Sequence, residues 1–322
     1  MKAIRVENDS LVWAEAPTPK PGPGEVRIAV RATAVNRADL VQRSGNYPPP
    51  PGASDILGLE CAGEVVEVSD GVSRVRPGDL VCALLAGGGY AEQVVVPAGQ
   101  VLKVPVGLDA TRAAAIPEVF ATAYLNLYME AALAKGERVL LHAGASGVGT
   151  AAIQMCREFH NPCLVTAGSQ DKIQRCVALG ADGGADRHAG DFEDTVRAWT
   201  DGGGVDVILD PVGGAYLAQN LRCLNTGGRL VLIGLMGGAQ ADVNLGLLLV
   251  RRLRVIGSTL RARPVSEKAA VMDALRDRLW PLFESGAIEP VIESVLPIQE
   301  AEQAHALVAG NETVGKVVMT VG

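Results

Sequence analysis

The rhythm of apolar and polar positions changes part-way along this chain. In the first third the period is two. Met1-Lys2-Ala3-Ile4-Arg5-Val6 alternates, and Glu25 to Ala32 alternates more clearly. Gly63 to Val68 and Gly78 to Ala83 repeat the pattern, with turn signals at Asp70-Gly71 and Pro77-Gly78. Such alternation predicts half-buried strands. Arg43 to Ser54 interrupts it with Tyr47 and the run Pro48 to Pro51. Four prolines continue neither a helix nor a central strand, so a rigid loop is predicted. Docking of the run on a partner is the weaker alternative, because it is short and lies between folded elements.

From about Thr111 the pattern becomes helical and then alternates between element types. Ala113 to Ala134 is Ala- and Leu-rich and reads as helix, interrupted at Pro117. Strands are predicted at Arg138–Ala143, Cys163–Ala167, Val205–Asp210, Arg229–Gly234 and Leu253–Gly257. Helices are predicted at Val148–Phe159, Gln170–Leu179, Phe192–Thr200 and Tyr216–Leu224. Nearly continuous apolar strands joined by amphipathic helices imply a parallel sheet covered on both faces, hence an α/β chain. Thr313 to Val321 returns to a strand pattern.

Composition narrows the picture. The 322 residues are 48% hydrophobic and 20% charged, enough for two domains with sizeable cores. There are 38 glycines and 18 prolines against 3 Trp, 5 Tyr and 4 Phe, so many tight turns and some close backbone approach to a ligand are expected. A net charge of −7 argues against nucleic-acid or anionic-membrane binding. The one basic stretch, Arg251, Arg252, Arg254, Arg261 and Arg263, reads as a solvated or subunit-facing edge. No apolar run has the length of a membrane span, and the start lacks a signal-peptide core, so a cytoplasmic location is expected.

Six cysteines are scattered without a CxxC pair, as suits a reducing compartment. Cys156 and His160 share a helical face, but Asn161-Pro162 ends that helix before Cys163 and no fourth ligand is near. Buried thiols, not a metal site, are the expectation.

The strongest local signal is His142-Ala143-Gly144-Ala145-Ser146-Gly147-Val148-Gly149, where an apolar strand gives way to a helix. Glycines there let the backbone approach a pyrophosphate, which the helix N-terminus favours. The spacing departs from GxGxxG, so the loop alone is weak. Its place at the head of a β/α series points to dinucleotide binding. No P-loop lysine and no GxSxG elbow are present. At the tip of the next strand, Gly168-Ser169 carries no acidic residue to hold a ribose 2′-hydroxyl. Ser169, Lys172 and Arg187 supply donors for a 2′-phosphate instead, which favours NADPH over NADH.

These segments together resemble the medium-chain dehydrogenase/reductase superfamily, specifically its zinc-free quinone oxidoreductases, including zeta-crystallin. The resemblance covers essentially the whole chain and is strongest to the tumour-suppressor-inducible quinone oxidoreductase subgroup. It rests on Asn36-Arg37-Ala38-Asp39-Leu40, Gly45 to Ser54, Ile56 to Glu60, His142 to Gln154, and Leu235-Met236-Gly237-Gly238. It implies a GroES-like β-rich catalytic domain over 1–120 and 288–322. A Rossmann doubly wound parallel sheet over 121–287 would bind NADPH. Zinc relatives carry Cys near the Asn36 position and His near Leu59; here both positions hold non-ligands, and the four-cysteine structural lobe is missing. Glu60 remains as a structural or substrate-side carboxylate.

Carried over position by position, the resemblance implies that Asn36 and Tyr47 flank the nicotinamide and the substrate. Ala145, Ser146, Gly147 and Val148 would line the pyrophosphate. Gly168, Ser169, Lys172 and Arg187 would surround the 2′-phosphate, although the subgroup tends to carry Tyr at the Arg187 position. Ile233, Gly234, Leu235 and Met236 would lie beside the nicotinamide ribose, Gly213 on the adenine side, and Lys316 near the cofactor. The implied reaction is zinc-independent reduction of a quinone by NADPH, with orientation and desolvation carrying catalysis. The alternatives are reduction of an enone or enoyl thioester, with Tyr47 the obvious proton donor, and an NADPH-binding protein with little turnover. A homodimer is expected from the family and from apolar Leu245 to Val250.

Overall fold

The computed structural model describes residues 1–322. In chain order the first strands are β1 (Lys2–Glu7), β2 (Ser10–Glu15) and β3 (Glu25–Ala34), followed by α1 (Arg37–Arg43). Next come β4 (Glu60–Val68), β5 (Leu80–Leu84), β6 (Gln93–Pro97) and β7 (Val101–Lys103), then α2 (Ala110–Ala113) and α3 (Pro117–Tyr124). The α/β part runs β8 (Val139–Leu141), α4 (Gly147–Glu158), β9 (Cys163–Ala167), α5 (Gln170–Leu179), β10 (Gly183–Asp186), α6 (Phe192–Trp199) and β11 (Val205–Asp210). It continues through α7 (Leu217–Cys223), β12 (Leu224–Leu232), α8 (Leu245–Arg251) and β13 (Arg254–Gly257). The chain closes with α9 (Val265–Arg278), α10 (Trp280–Glu284), β14 (Ile292–Pro297), α11 (Ala301–Ala309) and β15 (Lys316–Thr320).

Two compact units result, one of Met1–Ala121 with Leu260–Gly322 and one of Thr122–Thr259. The second boundary differs from the expected 287/288. Residues 260–287 group with the first unit because they pack on it: the Trp280 indole donates to the Lys103 carbonyl at 2.7 Å, and Phe283 meets Phe120 edge-on at 4.9 Å.

The first unit is built on a seven-stranded sheet of order β14-β15-β3-β4-β5-β7, with β6 also paired to β3. The alternation seen in the sequence decides which face of β3 is covered. Val26, Ile28, Val30 and Ala32 are buried, and the first three pack with Val65, Val81, Val94, Val96 and Val101. Gly63 lies so close to the Ala29 carbonyl, beside a register shift in the β3–β4 pairing, that no side chain fits there. The C-terminal strand β15 joins this sheet antiparallel to β3, which brings Lys316 next to residues 35 and 36.

The second unit is a six-stranded sheet of order β10-β9-β8-β11-β12-β13, parallel throughout. The order reverses direction between β8 and β11, which is the switch point where doubly wound sheets bind ligands outside their carboxyl ends. Its helices cover buried Leu140, Leu164, Val196, Ile208 and Leu230. The helical stretch expected from 113 to 134 with an interruption at Pro117 is divided into α2, α3, which starts at Pro117, and a π-helical turn at Leu125–Glu130, closed by the Ala131 amide donating to the Asn126 carbonyl. All six cysteines are buried and unpaired, as expected for packed thiols. No helix is long and apolar enough to cross a membrane.

Candidate active site

In the second unit, the loop after β8 is shaped by what its glycines exclude. A Cβ on Gly144 would come within 2.6 Å of the Val165 Cβ, and one on Gly149 within 2.6 Å of the Gly144 carbonyl carbon. The main chain therefore folds tightly back before α4 begins. Ser146 caps that helix, its Oγ accepting from the Gly149 amide at 3.0 Å. Ala145 is buried, Gly147 and Val148 are half-buried, and Ser146 is exposed. An α-helix leaves its first amides without intrahelical acceptors, and its dipole favours an anion at that end. The cradle suits a pyrophosphate.

Twenty residues on, Ser169 caps α5 by accepting from the Lys172 amide at 3.3 Å. A Cβ on Gly168 would stand 3.4 Å from the Arg187 guanidinium, so the structure brings these two expected residues together. Arg187 is exposed, and its Nε donates to His188 Nε2 at 3.1 Å. Gly213 takes φ +81°, which favours glycine, and its amide donates to Asp210 Oδ1 at 3.2 Å. Ile233 donates its amide to the Asp210 carbonyl and Met236 to the Pro211 carbonyl, which joins Ile233, Gly234, Leu235 and Met236 to the Gly213 loop over the sheet's carboxyl edge. Leu235 and Met236 are more than half exposed there.

Beneath this edge lies a network that the sequence reading missed. Buried His142 meets Thr166 Oγ1 at 3.0 Å through Nδ1 and Asn220 Oδ1 at 2.7 Å through Nε2. Asn220 Nδ2 donates to Asp210 Oδ2 at 2.9 Å, and Asp210 Oδ1 accepts from the Val212 and Gly213 amides. Burial holds the His142 imidazole below its ordinary range, hence neutral. The chain of bonds ties β8, β9, β11 and α7 to the loop carrying Gly213.

In the first unit the expected residues Asn36 and Lys316 come together around Glu60, which is fully buried. Lys316 Nζ pairs with Glu60 Oε1 at 2.8 Å and donates to the Val35 carbonyl at 2.8 Å and Asn36 Oδ1 at 2.6 Å. Its three donors are thereby used inside this unit. Asn36 Nδ2 donates to Glu60 Oε1 at 2.9 Å and to the Ala34 carbonyl at 3.3 Å. The second Glu60 oxygen accepts the Glu118 amide at 2.9 Å at the start of α3.

Tyr47 is half-buried, with Arg261 over its ring at 5.1 Å. Arg261 corrects the reading of the basic stretch as a solvated or subunit-facing edge. It is 3% exposed and donates to the carbonyls of Ala86 and Tyr47 and to Gln42 Oε1, which clamps the loop carrying Tyr47. Burial and the Glu118 charge push the Tyr47 phenol up, Arg261 acting against them, so it stays a neutral donor. Glu118 is pushed up to about 8, first by burial and then by Glu60. Sequence reading passed over Glu118 because Pro117-Glu118 reads as an ordinary helix start, with proline first and an acid in the first turn.

Comparison with known proteins agrees with this geometry. Residues 22–106 match the alcohol dehydrogenase GroES-like domain, and residues 179–319 match a family described as zinc-binding dehydrogenase. The synaptic vesicle membrane protein VAT-1 homolog of Homo sapiens is 32% identical over 323 residues, covering 95% of this chain and 81% of its own. A quinone oxidoreductase-like protein 2 homolog of Nematostella vectensis is 29% identical over 300 residues, covering 92% and 82%. The chain belongs to the quinone oxidoreductase family of medium-chain dehydrogenases/reductases.

Among solved structures, a mycobacterial protein complexed with NADPH superposes with a TM-score of 0.87 at 29% identity, covering 99% of this chain and 100% of its own. A 2-haloacrylate reductase superposes at 0.84 and 27% identity, covering 99% of both chains. The first unit is thus the GroES-like domain of a medium-chain reductase and the second its nicotinamide-dinucleotide domain.

Proposed function

We propose that this medium-chain reductase transfers hydride from NADPH to a quinone without a metal. The observation that carries the cofactor choice is the corner Gly168-Ser169, with the Arg187 guanidinium against it and no carboxylate at the strand tip. A guanidinium beside a capping hydroxyl suits a phosphate dianion, whereas a ribose diol is ordinarily held by an acid. Bound reduced nicotinamide would supply the hydride. The protein's own residues hold the dinucleotide through the α4 amides, and Gly213 with Ile233, Gly234, Leu235 and Met236 forms a surface for its ribose. Tyr47, Asn36 and Lys316 serve the substrate side, Tyr47 as a donor and the other two by fixing Glu60.

Asn36 and Leu59 stand where zinc relatives carry ligands, so the chemistry of the donor set favours an acceptor that needs no Lewis acid. A quinone is such an acceptor, because its reduced anion is delocalised. Enone or acrylate reduction is the second reading, favoured by the similarity to 2-haloacrylate reductase. A homodimer belongs to the same proposal, supported by the exposed Leu245, Leu249 and Val250 on α8.

The test is dinucleotide oxidation with ortho- and para-quinones, enones and an enoyl thioester, using NADPH and NADH in parallel, with and without chelator. Quinone turnover with NADPH, unaffected by chelator, is expected. Turnover confined to enoyl thioesters, or loss with chelator, overturns the reading. Arg187→Ala and Lys172→Ala should each raise the NADPH KM about tenfold or more, the worth of one charge-assisted bond, and leave NADH nearly unchanged.

A further inference from the structure

We propose that Glu118 is the acid that delivers the proton to the reduced substrate. This role rests on the reductase reading above and adds the residue that completes it.

The placement of Glu118 is unusual for its segment. Residues 113–117 and 119–121 are all fully buried, and Glu118 alone among them keeps a small exposed fraction. Its amide is fixed to Glu60 Oε2, so the residue sits directly against the buried group of Glu60, Asn36 and Lys316. The Glu60 carboxylate uses one oxygen on Lys316 and Asn36 and the other on that amide. The carboxyl of Glu118 has no such partners: burial and through-space charges alone act on it, with no hydrogen bond or ion pair. One acid in this unit is therefore locked, and its neighbour is left to react.

The charges around Glu118 come from several elements. Glu60 on β4 and Asp39 on α1 hold its proton on, while Lys316 on β15 and Arg261 after β13 pull it off. Tyr47 in the proline loop and Lys268 on α9 both feel its charge. Burial and the two carboxylates prevail, which raises Glu118 to about 8. Such an acid is protonated at neutral pH and gives its proton up readily, the condition for efficient general-acid catalysis. Tyr47 is raised from an already high value and holds its proton more firmly, which suits it to donating a hydrogen bond to the same oxygen.

The step balances as follows. The substrate takes up the hydride pair and becomes an oxyanion, while the dinucleotide is oxidised by two electrons. The O–H bond of Glu118 breaks, its proton forms a new O–H bond on the oxyanion, and the carboxylate left behind recovers a proton from water. An enone would differ only in where the proton ends, on the oxygen or on the adjacent carbon.

Two readouts test this. Infrared titration of the protein with its dinucleotide bound should show a protonated-carboxyl band at pH 7 that fades near pH 8 and is missing in Glu118→Gln. In turnover, Glu118→Gln should lower kcat at pH 7 about 100-fold, at the low end for loss of a general acid. It should also abolish the fall in kcat near pH 8, whereas Tyr47→Phe should keep that limb and Glu118→Asp should restore one. A Glu118→Gln enzyme with unchanged kcat and an unchanged alkaline limb overturns the role while leaving the reductase reading intact. A wild-type protein that oxidises no dinucleotide with any acceptor overturns both.

Discussion

In the unit Thr122–Thr259 the groups poised for a ligand are main-chain ones: the first amides of α4, and glycines 144, 149 and 213, where a side chain would collide or strain the backbone. In the GroES-like unit they are side chains: those of Asn36, Glu60 and Lys316 hold one another, and Glu118 joins them through its amide. The difference follows from what each must meet. A pyrophosphate carries a fixed charge that amides and a helix dipole satisfy without any titration. A substrate gaining electrons and a proton needs groups whose own protonation can change, and such groups must be buried and balanced to be tuned.

The sharpest break in this comparison is Lys316→Met. It would leave the Glu60 carboxylate fully buried with its cation gone, which costs about 3–5 kcal/mol where one partner of a buried pair is removed. Urea denaturation should show the loss. Adding Glu60→Gln should recover much of it, because the stranded charge disappears while an acceptor for Asn36 remains. Equal stability of wild type and Lys316→Met would mean that the side-chain cluster does not hold itself together.

The same contrast explains which parts were legible in the sequence. Strands β3, β9 and β11 and helices α4 and α5 follow from periodicity almost to the residue, because their burial is one-sided or complete along a local stretch. The α4 cradle was legible because glycine spacing is a local record of backbone shape. Short β10, Gly183–Asp186, has no apolar run to betray it, and α8 exposes the leucines that would mark a buried face. Glu118 was hidden for another reason: burial raises it first, and the charges that then tune it are Glu60, 58 residues away, against Lys316 at the far end of the chain. His142 lay inside the glycine motif, yet its partners Asn220 and Asp210 come from α7 and the tip of β11.

Gly149→Val sharpens the other half. Its Cβ would press on the backbone of residues 143 and 144, where no flexible side chain can yield. Overpacking of this kind costs about 1–3 kcal/mol. The larger consequence should be at the cradle: dinucleotide affinity, followed by quenching of protein fluorescence or by calorimetry, should weaken at least tenfold while the GroES-like unit is untouched. Retained affinity would show that the loop's path is not what binds the pyrophosphate.

The smallest expected effect lies in the first unit, where Tyr90 donates to Asp39 Oδ2 at 3.1 Å and meets His305 Nε2 at 3.2 Å. The phenol has one proton, so His305 must donate from Nε2, and its buried Nδ1 has no partner. Burial, with Arg43 nearby, lowers His305 to about 4, so its contribution to stability is present above about pH 6.5 and is lost as the pH falls through about 4. Burial raises Asp39 to about 6, so its contribution is present below the usual carboxylate range and is lost as the pH rises through about 6. Between those limits the His305 slope runs against that of Asp39 and that of Glu118, which is raised in the same direction, each approaching about 1.4 kcal/mol per pH unit in mid-window. His305→Gln keeps a donor toward Tyr90 and removes one slope. Its urea midpoint should therefore fall more steeply than that of the wild type as the pH rises from 4 to 6. Parallel curves for the two proteins would show that Asp39 and His305 do not titrate against each other, and that the side-chain cluster is held by fixed charges as rigidly as the glycine loop is held by its backbone.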